Sequence, residues 1–445
     1  MLRPAAALLL LSAPRLALAD TYAVLVAGSK GFENYRHQAD IAHAYTLLTA
    51  GGVPASNIVM MMYDDIAESH KNKFKGQVFN RPGDDSPDVY AAVKGHIDYR
   101  GKDVNPDTFL RVITGDKSGT GRVLESGPDD DVFIYFADHG GVGALAFAPH
   151  GLVPGMKLLK ADKINAALQT MHQKQMYKRL TFYVEACESG SIFDGLLNAS
   201  LGVYAVTAAN PHESSWGWYC GSNATVRGKN IGSCLGDEFS VRWMEDSDAV
   251  DEKKETLAQQ FTKLVTAVTK SHPQKYGDDE FTSLPLADFM GDEPPTPVAA
   301  AAARRPSGAP APVASVDSRD ARLHYLRWRL GELRGAAEAT TEEVAEAEAE
   351  LADEEKSRAD ATKLFGAVWS QMTGESASRA LERYTAPRNF ACHTEVVESA
   401  RLAYTDFSLK YHRVVVNLCE MGFDAKRIVG AFAAAAAPAL AEEAA

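Results

Sequence analysis

Five runs of unbroken apolar residues recur along the first half of the chain: "YAVLVAG" (22–28), "IVMMMY" (58–63), "VFIYFA" (132–137), "LTFYVEA" (180–186) and "GVYAVTAA" (202–209). A half-exposed strand alternates apolar and polar positions, so continuous runs predict strands covered on both faces. Between them the apolar spacing changes to that of a helix. Ile41, Tyr45 and Leu48 share one face, as do Ile164, Leu168 and Met171. Asn105 is placed to cap a further helix, with Pro106 at its first position. Strands and helices in alternation predict an α/β unit, a mostly parallel sheet with helices on both faces. In such a sheet the reactive groups gather at the carboxyl ends of the strands.

A last amphipathic stripe, Leu257, Phe261, Leu264 and Val268, precedes an abrupt change of composition. Residues 291–318 are rich in Pro and Ala and carry no apolar periodicity, which predicts an exposed, protease-accessible linker. From 319 to 445 the pattern is helical, an all-α C-terminal unit in which Thr340 and Glu343 form a capping-box pattern. Nine acidic residues and no basic one fall between Glu338 and Glu355, as on a solvated helix face. The closing "AFAAAAAPALAEEAA" is of low complexity and is expected to fray. At the other end, residues 1–19 combine Arg3, an apolar core at 5–11 and Ala17-Leu18-Ala19, the pattern of a secretory signal cut before Asp20. A membrane anchor is the competing use, but the apolar run falls short of the roughly 20 residues that a span requires. The expected organisation is a signal (1–19), an α/β domain (20–290), a linker (291–318) and a helical domain (319–445).

Composition narrows the function classes. A net charge of −13 over 445 residues argues against nucleic acid as a partner, because phosphate binding needs clustered Lys and Arg. No later segment supplies a membrane span. A secretory route also changes how the five cysteines are read. Cys220 and Cys234 are close in sequence and bracket a Gly/Asn-rich loop, while Cys392 and Cys419 both lie in the C-terminal part. Two disulfides would leave Cys187 unpaired, and an odd thiol in a secreted chain is a candidate reactive group. The sequons at Asn198 and Asn223 suit the same route.

Two of the apolar runs stop abruptly in polar residues. "FIYFADHGG" ends in Asp138, His139 and two glycines, and "FYVEACESGS" ends in Cys187 between Glu185 and Glu188. If both strand ends meet at one edge of the sheet, His139 can take the proton of Cys187, and the imidazolium then stabilises the thiolate. Gly140 allows a tight turn whose backbone N–H, with that of Cys187, could hold an oxyanion. A satisfied core histidine and a buried cysteine are the competing use of the same residues. Metal binding is the other, and no Cys or His near Cys187 has paired ligand spacing. The flanking glutamates are the puzzle, since a carboxylate beside a thiol makes the thiolate harder to form.

The motifs "AGSKGFENYRHQAD", "MMYDDIA", "NRPGDDSPDVY", "FIYFADHGG", "FYVEACESGS", "TAANPHESSW" and "LGDEFSVRWMEDSD", in that order, resemble the legumain family of asparaginyl endopeptidases. The resemblance runs from Tyr22 to about Asp248, and the helical C-terminal part is similar to that family's pro-domain. It implies a caspase-like α/β fold, an inactive zymogen and cleavage after Asn, less readily after Asp. It also implies no cofactor, peptide and protein substrates with exposed Asn, and the chain's own pro-domain as inhibitor. The vacuole, the lysosome or the cell exterior would be the destination. By matching residues, Cys187 becomes the nucleophile, His139 the base and Asn34 the residue that orients it. Arg36, His37, Glu185, Ser214, Ser215 and Asp237 become the specificity pocket.

Asp138 matches a position that forms a succinimide in relatives. Gly217 matches one where peptide-ligating relatives often carry a bulkier residue, which favours hydrolysis over ligation. Within this frame the acid near the thiol reads substrate. An asparagine side chain offers one acceptor and one NH₂ donor, so its pocket needs a cation (Arg36) and carboxylates (Glu185, Asp237). An ionised aspartate would be repelled and a protonated one accepted. Activation requires a cut in the linker. No asparagine lies between Asn230 and Asn389, so self-processing would have to follow Asp292, Asp317 or Asp320. A different protease cutting at Arg304–Arg305 is the alternative. Two further function classes remain: a lipid-anchor transamidase subunit, which would normally carry a C-terminal span, and a non-catalytic secreted glycoprotein.

Overall fold

The computed structural model describes residues 20–149, 155–291 and 313–443. The expected signal, Asp292 and Arg304–Arg305 lie outside the described residues.

Six strands form the central sheet: β1 (Thr21–Ala27), β2 (Ile58–Met61), β3 (Asp131–Ala137), β4 (Arg179–Glu185), β5 (Val203–Thr207) and β6 (Gln274–Gly277), in the order β6-β5-β4-β3-β1-β2. The five strands foreseen from apolar runs are parallel to one another. The sixth, β6, is an antiparallel edge strand with the sequence "QKYG". It has no apolar run because it is covered on one side only. Successive residues of β1 face opposite sides. Ala23, Leu25 and Ala27 join the core beneath the helices Tyr35–Ala50 and Glu238–Ala249; Val24 and Val26 join the core beneath Pro106–Ile113 and Ala161–Gln173. The Asn105 side chain accepts from the N–H of Thr108 at 2.9 Å, as a cap should, and Thr256 with Gln259 caps the helix Leu257–Ala267.

The C-terminal unit is helical: Ala321–Gly335, Thr341–Thr373, Phe390–Ser399, His412–Glu420 and Ala425–Glu443. Phe365, Trp369, Val415 and Ile428 centre its core, which extends onto Ala146 of the α/β domain. Thr340 and Glu343 close the expected capping box. The acidic run is not simply a solvated face. Glu354, Glu355, Glu350 and Glu348 pair with Arg322, Arg327, Arg329 and Arg334 of the preceding helix, at 2.6–3.1 Å. Each exposed pair adds little alone, but the row aligns the two helices as a hairpin. The last part of the expected linker is also not free: Val316–Asp317 forms a strand against Trp216–Trp218 of the α/β domain.

Candidate active site

Ala137 of β3 pairs with Glu185 of β4, and the chain runs two residues further on each strand to reach His139 and Cys187. Parallel pairing therefore brings the histidine and the thiol to the same edge. Gly140 packs on the Cys187 backbone, where a Cβ would fall 2.2 Å from the Cys187 carbonyl oxygen. No side chain fits there. Glu188 adopts φ 48°, the left-handed turn that takes the chain from β4 into the short helical turn Ser189–Ile192.

His139 Nε2 lies 2.9 Å from Asn34 Oδ1, which also accepts from Arg36 at 3.2 Å, while Asn34 Nδ2 donates to the Lys30 carbonyl. An oxygen already facing a guanidinium requires a donor from the ring, so Nε2 carries the proton. The Nδ1 lone pair has no partner among the described residues. The Cys187 sulfur accepts the N–H of Ser215 at 3.3 Å. Burial pushes the thiol up to about 12, reinforced by the charges of Glu188 and Asp317 and opposed by Arg319. Burial, with Arg36 and Arg319, holds His139 well below its ordinary value. Both shifts favour the neutral thiol and the neutral ring in this closed form, and so oppose the imidazolium expected to stabilise the thiolate.

Beside the thiol lies a buried polar cluster. Arg36 pairs with Asp237 at 2.8 Å, and His37 stands between Asp237 (3.5 Å) and Ser29 (2.7 Å). Glu185 accepts from the N–H and hydroxyl of Ser240 through one oxygen, at 3.1 and 2.9 Å. Asp40, which sequence reasoning did not single out, accepts the N–H of Asp237 at 3.1 Å. Burial and the charge of Asp237 push Asp40 and Glu185 well above the carboxylate range. Burial also raises Asp237, although Arg36 opposes it. Three atoms of this cluster have no hydrogen-bond partner among the described residues: Arg36 Nη2, Glu185 Oε1 and Asp237 Oδ2. The wall is set by the Cys220–Cys234 disulfide, and Gly217 packs on it: a Cβ there would lie 3.0 Å from Cys234 Sγ and 3.5 Å from Arg36.

The segment 314–319 covers this site. The Cys220 N–H bonds the Ala314 carbonyl, Val316 pairs with Gly217, Asp317 with Trp216, and Ser318 N–H donates to the Ser215 carbonyl at 3.1 Å. The Ser318 hydroxyl lies 3.3 Å from Ser215 Oγ and 3.4 Å from Asp237 Oδ1. Ser318 thus occupies the cluster; Asp317 folds back on the N–H of Arg319, and Asp320 pairs with Arg358. Arg319 bonds Glu188, Ser214 Oγ at 2.6 Å and the Gly140 carbonyl at 3.5 Å. Ser214, expected in the pocket, therefore faces the arginine instead. Arg413 of the helical unit reaches Glu188 from its other oxygen at 2.9 Å, and Asp406 lies 3.5 Å from His139 Nε2.

The Peptidase C13 family model matches residues 21–292, well over half of the chain. The chain belongs to the Peptidase C13 family. It is 36% identical over 443 residues to a vacuolar-processing enzyme delta-isozyme of Arabidopsis thaliana, covering 94% of this chain and 91% of the relative. It is 37% identical over 427 residues to a vacuolar-processing enzyme beta-isozyme 1 of rice (Oryza sativa subsp. japonica), covering 92% and 83%. With a hemoglobinase of Schistosoma japonicum it shares 44% over 318 residues, 69% of this chain and 68% of the relative. The protein is thus a cysteine endopeptidase of the C13 family, with a fold consistent with the caspase-like expectation.

Both expected disulfides, Cys220–Cys234 and Cys392–Cys419, are formed, and Cys187 is free and buried in this C13 peptidase. Asn198 caps its own exposed turn through Ser200 N–H; Asn223 Oδ1 accepts the N–H of Ala314 and so touches the covering segment. Asp138 Oδ1 lies 2.6 Å from the N–H of His139, the nitrogen that closes a succinimide ring. Metal ligation was set aside for want of paired spacing, yet the fold brings ligand atoms of His37, Asp138 and His139 within 4.8 Å of one another. What sequence reasoning missed is mostly remote: Arg319, Asp406 and Arg413 lie far along the chain from the two strand ends, whereas Asp40 closes the first quoted motif and Glu188 flanks the thiol.

Proposed function

We propose that this C13 peptidase is a secretory-pathway zymogen that cleaves peptide bonds after asparagine, and after aspartate in acid. Vacuolar-processing relatives support the route, and no helix of the described residues is long and apolar enough to cross a membrane. The observation that carries the specificity is the set of unpaired buried atoms beside the thiol. A guanidinium nitrogen of Arg36 can donate to a carboxamide oxygen, and Glu185 Oε1 and Asp237 Oδ2 can accept from its NH₂. A buried unpaired donor or acceptor costs about 1–3 kcal/mol, so the amide that satisfies all three is strongly favoured.

In the reaction His139 Nδ1 takes the Cys187 proton as the sulfur attacks the carbonyl carbon. Asn34 holds the ring through Nε2. The N–H groups of Gly140 and Cys187 receive the oxyanion, His139 returns the proton to the leaving amine, and water hydrolyses the thioester. Ser318 supports a zymogen reading. It stands where the asparagine would stand, lacks an amide, and is followed by a turn rather than an extended bond. Asp138 would supply the succinimide, and Asp292, Asp317 or Asp320 the cut that releases the helical domain.

Fluorogenic peptides ending in Asn, Asp, Gln or Ala are compared at pH 4–7 on acid-treated protein. Asn substrates should be cleaved throughout, Asp substrates only at the acid end, and Cys187→Ala should cleave none. Equal rates for Asn and Ala would defeat the pocket assignment.

A further inference from the structure

We propose that this enzyme has an acidic subsite for the residue immediately after the cleaved bond, built around Glu188, and that it selects substrates with Arg or Lys at that position. The proposal rests on Cys187 as the nucleophile and on the pocket reading above.

The covering segment runs extended as far as Asp317 and turns from Ser318, and the first side chain past Ser318 marks an acceptor set beside the thiol. Ser318 occupies the pocket, and its backbone N–H pairs with the Ser215 carbonyl as an extended substrate would. The next residue is Arg319. Its guanidinium is nearly buried and meets three acceptors: the Glu188 carboxylate, the Ser214 hydroxyl and the Gly140 carbonyl. Ser214 and Gly140 flank the thiol and Glu188 follows it in the chain, so this acceptor set belongs to the α/β domain and stays when the helical domain leaves.

Removal of the helical domain then creates a demand. Glu188 is wholly buried, and its two oxygens face Arg319 and Arg413, both from beyond the linker. Arg413 also donates to the carbonyl of His212. Without the two arginines, the Glu188 carboxylate and three further acceptors, Ser214 Oγ and the Gly140 and His212 carbonyls, lose their cations. Among the described residues, no core cation pairs with Glu188. A substrate guanidinium or ammonium fits that set, whereas a substrate carboxylate would add a like charge in low dielectric. Glu188 thus has a role distinct from Glu185: one carboxylate reads the residue before the bond, the other the residue after it.

Acid-treated full-length protein is given a peptide library randomised at both positions flanking the cleaved bond, and products are read by mass spectrometry. The residue before the bond tests the pocket reading, and the residue after it tests this one. Arg and Lys should exceed Ala at the following position by about tenfold, and Glu should be nearly excluded. Paired peptides carrying Arg or its neutral isostere citrulline isolate the charge in the unaltered enzyme, and Arg should again be preferred. In Glu188→Gln the Arg-to-Ala ratio should fall toward one, whatever the overall rate. A flat following position, equal cleavage of the Arg and citrulline peptides, or a Glu188→Gln enzyme that keeps the full ratio would overturn the proposal.

Discussion

Asp237 is asked to do two things at once, to pair with Arg36 and to keep an oxygen free beside Cys187. Its Oδ1 holds the guanidinium at 2.8 Å while Oδ2 has no hydrogen-bond partner among the described residues. Asp237→Asn keeps the shape but turns one of those acceptors into a donor. The expected outcome is a loss of roughly 10²-fold in kcat/KM for Asn peptides, with a smaller loss for Asp peptides at acid pH. Parallel progress curves on the two peptides check it, and an unchanged Asn/Asp ratio would place the selecting carboxylate elsewhere. Cys187, His139, Arg36, Glu185 and Asp237 were all legible in the sequence. The polarity of an apolar run's end exposed the first two, and motif resemblance the others. Their protonation was not legible. A thiol at about 12 and a histidine held neutral follow from complete burial, which depends on what covers the site.

At the level of elements, the helical unit is stapled by Cys392–Cys419, which ties Phe390–Ser399 to His412–Glu420 across 27 residues. The second of these helices carries Arg413 to Glu188. Closing a loop of that length restricts the unfolded chain by about 3 kcal/mol. A Cys392→Ser/Cys419→Ser protein should therefore lose helical-domain stability by about 2–4 kcal/mol and process its linker faster at a given acid pH. Urea unfolding and timed gels at pH 5 check both; unchanged processing would mean that this staple does not govern release. Most elements were foreseen: the five buried strands, the cap at Asn105 and the box at Thr340. The short edge strand β6 and the strand Val316–Asp317 were not. Short strands without an apolar run gain their ladder from a neighbour distant in sequence, and no local pattern announces it.

For the whole molecule, pH acts on two equilibria with different references. In folding, Glu252 is pushed up to about 8, and Asp40, Asp138 and Glu185 lie well above the carboxylate range, each chiefly through burial. A raised carboxyl binds its proton more tightly when folded, so its burial cost falls as pH drops below the folded value. Buried His37, His139 and His412 act the opposite way, but only as pH falls through their unfolded value of about 6.5. Stability should thus rise between pH 8 and about 6.5 by on the order of 1 kcal/mol. Chemical denaturation of Cys187→Ala across that interval checks it, and a falling stability would refute it.

Docking of the helical domain has the open core as its reference. Glu188 is raised by burial and pulled back down by Arg319 and Arg413. Undocking takes both arginines away and opens Glu188 to water at once, and these act on its proton affinity in opposite directions, so the latch is tested on charge at fixed pH. Glu188→Gln leaves Arg319 and Arg413 facing a neutral amide. Hydrogen exchange in His412–Glu420 of the Cys187→Ala chain at pH 7 should be faster once Glu188→Gln is added, and exchange as slow as in the parent chain would remove Glu188 from the latch.

Apolar continuity determined the parallel sheet, composition marked off a helical domain, and an odd cysteine beside a polar strand end marked the free thiol. Those features are written locally, because burial on both faces, helix period and chain stiffness each act over a few residues. The tertiary structure alone decided that Ser318 rather than an aspartate enters the pocket, that Ser214 faces Arg319, and that Glu188 lies between two arginines 94 residues apart in the chain. Charges so separated meet only after the domains pack, and removal from water then makes each carboxylate's partner, more than its identity, determine its protonation.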